Sequence, residues 1–192
     1  MAKGEVETLD ILDFLKGLEE QHKIEIIFCA EVGSRAFGLA GPDSDYDLRF
    51  IFLHKQKSVY LQLEGYEKCL SGKSNKYDWQ GWDLSKALLL LKNSNPSLIE
   101  WICSPIIYIN STIGNTRFSD EIKKYSPGKE ALLYHYAACS KSTYKAAIKK
   151  GSLTVKTYLF CLRTACMVIW IQDNGLAGLN LNFEQILQKL EP

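Results

Sequence analysis

The sequence has little of what marks disulfide-stapled, zinc-binding or secreted proteins. Its six cysteines form no CxxC pair and no Cys/His zinc spacing, and several lie in apolar runs, where a free thiol packs as a small apolar group. This pattern argues against a disulfide framework and indicates a reducing compartment. The N-terminus, MAKGEVETLDILDF, lacks the apolar core of a signal peptide.

The sequence also lacks a run of residues apolar enough to cross a membrane. The longest apolar stretch, Leu153–Ile171, is interrupted by Lys156 and Arg163, so it predicts a buried helix. Hydrophobic residues make up 46% of the chain and charged residues 23%, a balance typical of globular proteins. We therefore predict a folded, cytoplasmic protein with no membrane partner.

Net charge is only +1, but the charges are unevenly distributed. Residues 1–110 carry 12 Lys and Arg against 16 Asp and Glu, whereas residues 111–160 carry nine against three. The basic block is a candidate surface for a polyanion, and Lys141, Lys145 and Lys149 recur in it at helical spacing. A solvated helix face explains the same spacing, and from charge alone we favour that interpretation.

Apolar periodicity predicts an α/β part over residues 1–110 and a helical part over residues 111–192. An apolar helix begins just before the sequence ends at Pro192, which suggests a fragment of a longer protein. The predicted strands are Ile24–Ala30, Tyr46–Leu53 and Lys76–Gln80. The predicted helices are residues 8–21, Ser34–Leu39, a short helix near Tyr60, Leu84–Lys92 capped by Asp83, Glu130–Lys150, Leu153–Gln172 and Phe183–Leu190.

The most informative segment is Gly33–Phe52, GSRAFGLAGPDSDYDLRFIF. Its Gly33-Ser34 pair would let a backbone approach a phosphate closely, although the same pair also begins many ordinary helices. Asp45 and Asp47 are two residues apart at the start of a predicted strand, so they project from one face. Two adjacent carboxylates repel each other unless a cation lies between them, and Mg²⁺ prefers such carboxylates together with substrate phosphates.

A third acid is expected on a neighbouring strand. Asp78 fits, because it lies between aromatic residues in a β-compatible run. A water-facing acid on an edge strand is an equally good explanation from sequence. Asp83 is the competitor, but its position before Leu84 is better explained as a helix N-cap.

Together these residues resemble the DNA polymerase β-like nucleotidyltransferase superfamily. The segments GSRAFGLAGPDSDYDLRFIF, GWDLSKALLLL, NPSLIEWICSPIIY and VKTYLFCLR are most similar to RlaP-type predicted nucleotidyltransferases, which are linked to RNA repair. They span residues 33–163. The resemblance implies an α+β fold, with a polymerase-β-like core (a small mixed β-sheet flanked by helices) followed by a helical C-terminal part.

The resemblance also implies roles for individual residues. Gly33 and Ser34 would hold a nucleoside triphosphate, and Asp45 and Asp47 would bind two Mg²⁺ or Mn²⁺ ions. Asp78 would act with one of these ions to place the attacking hydroxyl. Two ions about 4 Å apart can clamp both oxygens of an in-line displacement.

Three cations are further candidates for this site. Arg35 either meets a phosphate or pairs structurally with a nearby acid. Lys156 and Arg163 share a helix face, being seven residues apart. We expect Lys156, which matches the K-x-Y-L pattern of the family, to reach the triphosphate, and Arg163 to have a structural role.

The resulting expectation is a metal-dependent nucleotidyltransferase that moves a nucleoside monophosphate from an NTP to a hydroxyl acceptor, with RNA as the expected acceptor and pyrophosphate as the product. Two alternatives stay open. One is an inactive or truncated nucleotide- or RNA-binding module. The other is a protein-AMPylating enzyme of the antitoxin type.

Overall fold

The computed structural model describes residues 3–62, 65–74, 76–125, 129–151, 154–175, 179 and 181–190. Its centre is a mixed five-stranded sheet. The strands of this sheet are β1 Ile24–Val32, β2 Tyr46–His54, β3 Cys69–Lys73, β4 Tyr77–Asp83 and β5 Ile107–Asn110. Their order across the sheet is β3-β4-β2-β1-β5. A small hairpin follows, formed by β6 Thr112–Ile113 and β7 Thr116–Arg117.

Helices flank the sheet, and long helices make up most of the chain after residue 128, so the predicted α+β class is confirmed. The helices are α1 Lys3–His22, α2 Gly33–Ala36, α3 Leu84–Lys92, α4 Pro96–Ile102, α5 Phe118–Lys123, α6 Lys129–Lys150, α7 Val155–Asn174 and α8 Phe183–Leu190. A 3₁₀ helix, Lys57–Leu61, contains Tyr60 as predicted. Leu153, where the prediction for α7 begins, lies outside the described residues.

Each face of the sheet buries a different set of apolar side chains. On one face, α1 covers the middle of β2, where Leu48, Phe50 and Phe52 are fully buried. The opposite face, which carries Ile51 and Trp82, packs against α3, α4 and the C-terminal helices in one continuous cluster. Strand β2 is therefore covered on both sides, which fixes its register because a one-residue slip would turn Asp47 and Arg49 into the core beneath α1.

The pairing of β2 is the feature that positions the site. Strand β2 runs antiparallel to β1 but parallel to β4. Strand β4 is interior, because β3 pairs with its other edge. The interpretation of Asp78 as an edge-strand acid is therefore wrong. The prediction for Asp83 is confirmed, because its carboxylate accepts a hydrogen bond from the Ser85 N–H and caps α3.

Arg163 connects the helical part to the sheet part. Its guanidinium is almost fully buried, lies 3.5 Å from the Phe37 ring centroid and pairs with Glu100 at 3.4 Å. Its Nε also donates to the Leu181 carbonyl oxygen. These contacts agree with the structural role that the sequence predicts for Arg163. They also hold α7 over the loop that follows α2.

Six elements are not predicted from the sequence: β3, β5, β6, β7, α4 and α5. Strand β3 lies in a segment that reads as polar loop, since Cys69–Lys73 contains few β-branched or aromatic residues. Helix α4 begins at Pro96, a residue type that is unfavourable in the interior of a helix. In fact Asn95 caps α4 by accepting from the Leu98 N–H, and Pro96 occupies the first turn, where its missing N–H costs nothing.

All six cysteines are free thiols in this structure. None of the helices in the described part of the chain combines the length and apolar character needed to cross a membrane.

Candidate active site

Three acids and two cations meet on one face at the end of β2. Asp47 lies directly opposite Asp78 in the parallel β2–β4 register. Alternate residues of a strand share a face, so Asp45 and Arg49 accompany Asp47. Lys73 arrives from β3, where it is the register partner of Asp78. The structure thus brings together the three acids predicted from the sequence.

Gly33 makes room for the Asp47 carboxylate. It follows β1 directly, at a position where its neighbour Val32 pairs with Asp47. Its φ of +67° lies in the left-handed region, and a Cβ at this position would overlap the Asp47 carboxylate. Glycine is therefore required here by both backbone conformation and space.

Each of the three acids is paired with a cation. Lys73 Nζ lies 2.9 Å from Asp45 Oδ2. Arg49 reaches two acids at once, with Nη1 at 3.0 Å from Asp78 Oδ1 and Nη2 at 3.4 Å from Asp47 Oδ1. The positive charges of Lys73 and Arg49 offset the mutual repulsion that is expected of adjacent carboxylates.

The sheet end is electrostatically crowded. Burial raises the pKa of Asp47 above its usual value, Arg49 opposes this effect, and the charges of Asp78 and Asp45 add to it. Glu31 lies behind Asp47, fully buried, and accepts hydrogen bonds from the Asp47 N–H at 2.7 Å and from the Tyr108 hydroxyl at 2.8 Å. Burial raises the pKa of Glu31, although its two hydrogen bonds lower it.

Arg35 shapes the loop that precedes the acids. Its guanidinium lies 3.7 Å from the Tyr46 ring centroid and donates to the carbonyl oxygens of Ser44 (2.7 Å) and Asp45 (3.2 Å). The Ser44 hydroxyl closes the same loop by accepting from the Gly41 N–H. In this structure Arg35 thus contacts loop carbonyls and an aromatic ring.

A polar cavity of about 520 Å³ opens above the acids. Ser34 lines it on the β1 side and Lys156, an exposed residue in the first turn of α7, on the helical side. An adjoining, mostly apolar cavity of about 700 Å³ shares Ser34, Asp47 and Lys156 with it. Its apolar wall consists of Phe37, Leu39, Val155, Leu159 and Phe160. The site is a two-part cleft, charged at one end and apolar at the other.

Comparison with known proteins identifies the family. The model of the family described as RlaP, RNA repair pathway DNA polymerase beta family, matches residues 9–192. The chain belongs to the RlaP family. A similar protein is the uncharacterized protein YcgL of Bacillus subtilis (strain 168), 34% identical over 167 residues. That match covers 86% of this chain and 63% of YcgL, so the chain spans less than two thirds of the relative's length.

The RlaP site suits a metal ion that arrives with its substrate better than one held by protein alone. Within the described residues, no three His, Cys, Asp or Glu side chains are grouped closely enough to hold a metal ion. Asp45, Asp47 and Asp78 nevertheless line one cavity and offer carboxylate oxygens. Because Mg²⁺ is usually held by one or two carboxylates plus substrate phosphates, this donor set fits such an ion.

Three residues of the site are absent from the sequence predictions. Arg49 carries a detectable signal, since it is two residues beyond Asp47 and alternation puts it on the same face. Lys73 lies on β3, a strand that is not predicted. Glu31 is indistinguishable in sequence from a solvated acid at a strand end, because only the fold shows its burial.

Proposed function

We propose that this chain is a metal-dependent nucleotidyltransferase that transfers a nucleoside monophosphate from an NTP to a hydroxyl of RNA. The observation that carries the proposal is the register pairing of Asp47 with Asp78, with Asp45 beside them on the floor of a polar cavity. Membership of the RlaP family, a polymerase-β-like family, supports this reaction class.

The two parts of the cleft suit the two parts of an NTP. Ser34 and Lys156 would hold the triphosphate in the polar cavity, with a hydroxyl donor on one side and an ammonium group on the other. The adjoining apolar cavity is large enough for a nucleoside, which would lie between Phe37 and Phe160.

The reaction follows from this placement. The acceptor hydroxyl oxygen forms a bond to the α-phosphorus, the bond from the α-phosphorus to the oxygen leading to the β-phosphate breaks, and pyrophosphate leaves. Asp78, on the β4 side of the cavity, would orient the hydroxyl and accept its proton. When bound, a divalent ion held by Asp45 and Asp47 supplies positive charge to the triphosphate. Most of the catalysis is then positioning and charge neutralisation.

Charge distribution supports a polyanionic acceptor. Residues 131–172 contain six Lys and Arg and no Asp or Glu. Five of these cations, Lys141, Lys145, Lys149, Lys150 and Lys156, are exposed on α6 and α7. Lysines on two helices that contribute no acid between residues 131 and 172 would contact an RNA backbone without reading its sequence.

Labelled substrate tests this function. Each α-³²P-labelled NTP is incubated with Mg²⁺ or Mn²⁺ and with a mixed pool of tRNA and protein, and wild type is compared with Asp45→Asn/Asp47→Asn. We expect label in RNA with wild type alone. Label in protein would favour the protein-AMPylating alternative. Triphosphate binding without any transfer would favour an inactive module.

A further inference from the structure

Arg49 differs from Lys73, the other cation paired with the three acids, in how it is held. Its Nη1 donates to two main-chain carbonyl oxygens, at 2.9 Å from Asp78 and at 3.1 Å from Leu48. Its side chain is only 17% exposed. Lys73, by contrast, is 65% exposed, and its ammonium group lies against the Asp45 carboxylate alone among the contacts described for it.

The anchoring of Arg49 does not depend on the carboxylates. Backbone carbonyl oxygens of two paired strands stay in place whatever binds in the cavity, so the guanidinium keeps its position. Lys73 has a flexible stem and a pairing that solvent weakens, so an incoming ion can displace it. The three acids are therefore paired with one fixed positive charge and one replaceable one.

The fixed charge lies where a second divalent ion would be needed. An ion shared by Asp47 and Asp78 must bind both carboxylates, yet Arg49 already takes Oδ1 of each. Such an ion would lie beside a permanent guanidinium charge that cannot be deprotonated. The Asp45–Asp47 side carries no comparable obstacle, because Lys73 there can leave.

We propose that Arg49 replaces the second divalent ion, so that the site takes a single ion, on Asp45 and Asp47, together with the triphosphate. The two ions implied by the family resemblance would then be one in this chain. Arg49 supplies positive charge to the Asp47–Asp78 pair and holds Asp78 facing the acceptor. The inference rests on the proposed nucleotidyltransferase function.

Metal stoichiometry tests the inference without any turnover. Wild-type chain is saturated with a non-hydrolysable α,β-methylene NTP, titrated with Mn²⁺, and the bound ions per chain are counted by equilibrium dialysis. EPR then distinguishes a single Mn²⁺ from a spin-coupled pair. We expect one ion and no coupled signal. Two ions per wild-type chain would overturn the inference and leave the proposed function standing. Retention of neither nucleotide nor Mn²⁺ would overturn both.

Variants of the two cations supply the matched comparison. Arg49→Met removes the fixed charge, and we expect bound Mn²⁺ to rise from one to two per chain with a coupled EPR signal. Lys73→Met removes the replaceable charge, and we expect the count to stay at one with a lower Kd for Mn²⁺. Arg49→Lys, which keeps the charge, should also stay at one. An unchanged count in a folded Arg49→Met, verified by circular dichroism, would contradict the proposal. If Arg49→Met does not fold, the wild-type count alone decides.

Discussion

The two walls of the cleft hold their functional side chains in different ways. On the sheet wall, Asp47 and Asp78 lie on paired interior strands and share the anchored Arg49. On the helical wall, Lys156 stands exposed in the first turn of α7, a helix that Thr154 caps by accepting from the Thr157 N–H. The sheet wall is preorganised before substrate arrives, whereas under the proposed function the lysine would be ordered by the phosphates of the NTP.

This difference assigns different kinetic roles to the walls. Preorganised charges act mainly in the transition state, so changes to the sheet wall should lower kcat. A flexible cation that grips the triphosphate throughout the reaction contributes uniform binding, so changes to the helical wall should raise KM.

The largest expected effect is that of Asp47→Asn. Loss of one preorganised hydrogen-bond donor from an active site lowers kcat on the order of 10²–10³-fold. Because Asp47 lies between Asp45 and Asp78, we expect its loss to lower kcat by roughly 10³-fold or more. Initial rates of pyrophosphate release measure it. Asp13→Asn, a solvent-exposed acid of α1, is the control and should keep wild-type rates. Substantial activity in Asp47→Asn would contradict a role of the sheet wall in the chemical step.

Gly33→Ala should displace the Asp47 carboxylate of the same wall. The new Cβ would overlap the Asp47 carboxylate, and the left-handed backbone adds about 1–2 kcal/mol of strain for a non-glycine residue. We expect a lower Tm, by a few degrees, and a kcat reduced at least about tenfold, the equivalent of about 1.4 kcal/mol. Gly17→Ala is the control, since it lies in α1 with open space around it and should be neutral or stabilising. Equal behaviour of the two variants would contradict the packing argument.

Lys156→Met tests the role of the helical wall in substrate binding. The substitution keeps the length of the stem and removes the charge, so we expect KM for the NTP to rise roughly tenfold, the loss of one charge-assisted contact. We expect kcat to change little. Steady-state kinetics over a range of NTP concentrations give both constants. A fall in kcat at unchanged KM would mean that the helical wall takes part in the chemistry.

The smallest effect concerns stability and its dependence on pH. The pKa of Glu31 is raised in the folded chain, so the folded state binds a proton more tightly than the unfolded state. Stability from this group is therefore greatest below the unfolded pKa and falls as pH rises through the raised pKa. Glu31→Gln has no carboxyl group that ionises in the buried site, so its stability does not fall in this way. The variant should therefore exceed wild type in Tm by more at pH 8 than at pH 4.

Thermal unfolding of both metal-free chains at the two pH values measures this difference. Glutamine keeps an acceptor and gains a donor, so the contacts to Asp47 and Tyr108 can be replaced. A Tm advantage that is larger at pH 4 would show that the assigned sign is wrong.

The two walls also differ in how much of each can be predicted from the sequence. The acids of β2 and β4 are predictable because an Asp within a β-rich apolar run is unfavourable unless it has a partner. Strand alternation then implies their shared face. The family resemblance adds their joint role, and membership of the RlaP family is confirmed.

The rest of the cleft depends on tertiary contacts. Phe37, Leu159 and Phe160 line one cavity because α7 packs over the sheet part, where Arg163 contacts Phe37 and Glu100. Lys73 reaches Asp45 from β3, a strand whose composition resembles a loop. Nothing in the local sequence of Glu31 distinguishes a buried acid from a solvated one. Assignment of the triphosphate contacts to Ser34 and Lys156 stays a prediction.

The central claim is transfer of a nucleoside monophosphate by the sheet wall, and a double-label experiment tests it most directly. Wild type and Asp47→Asn are incubated with RNA and with NTP carrying ³²P at either the α or the γ position. The account predicts that α-label enters RNA with wild type, that γ-label is released as pyrophosphate, and that Asp47→Asn does neither. Entry of γ-label into RNA, or equal α-labelling by the variant, would contradict it.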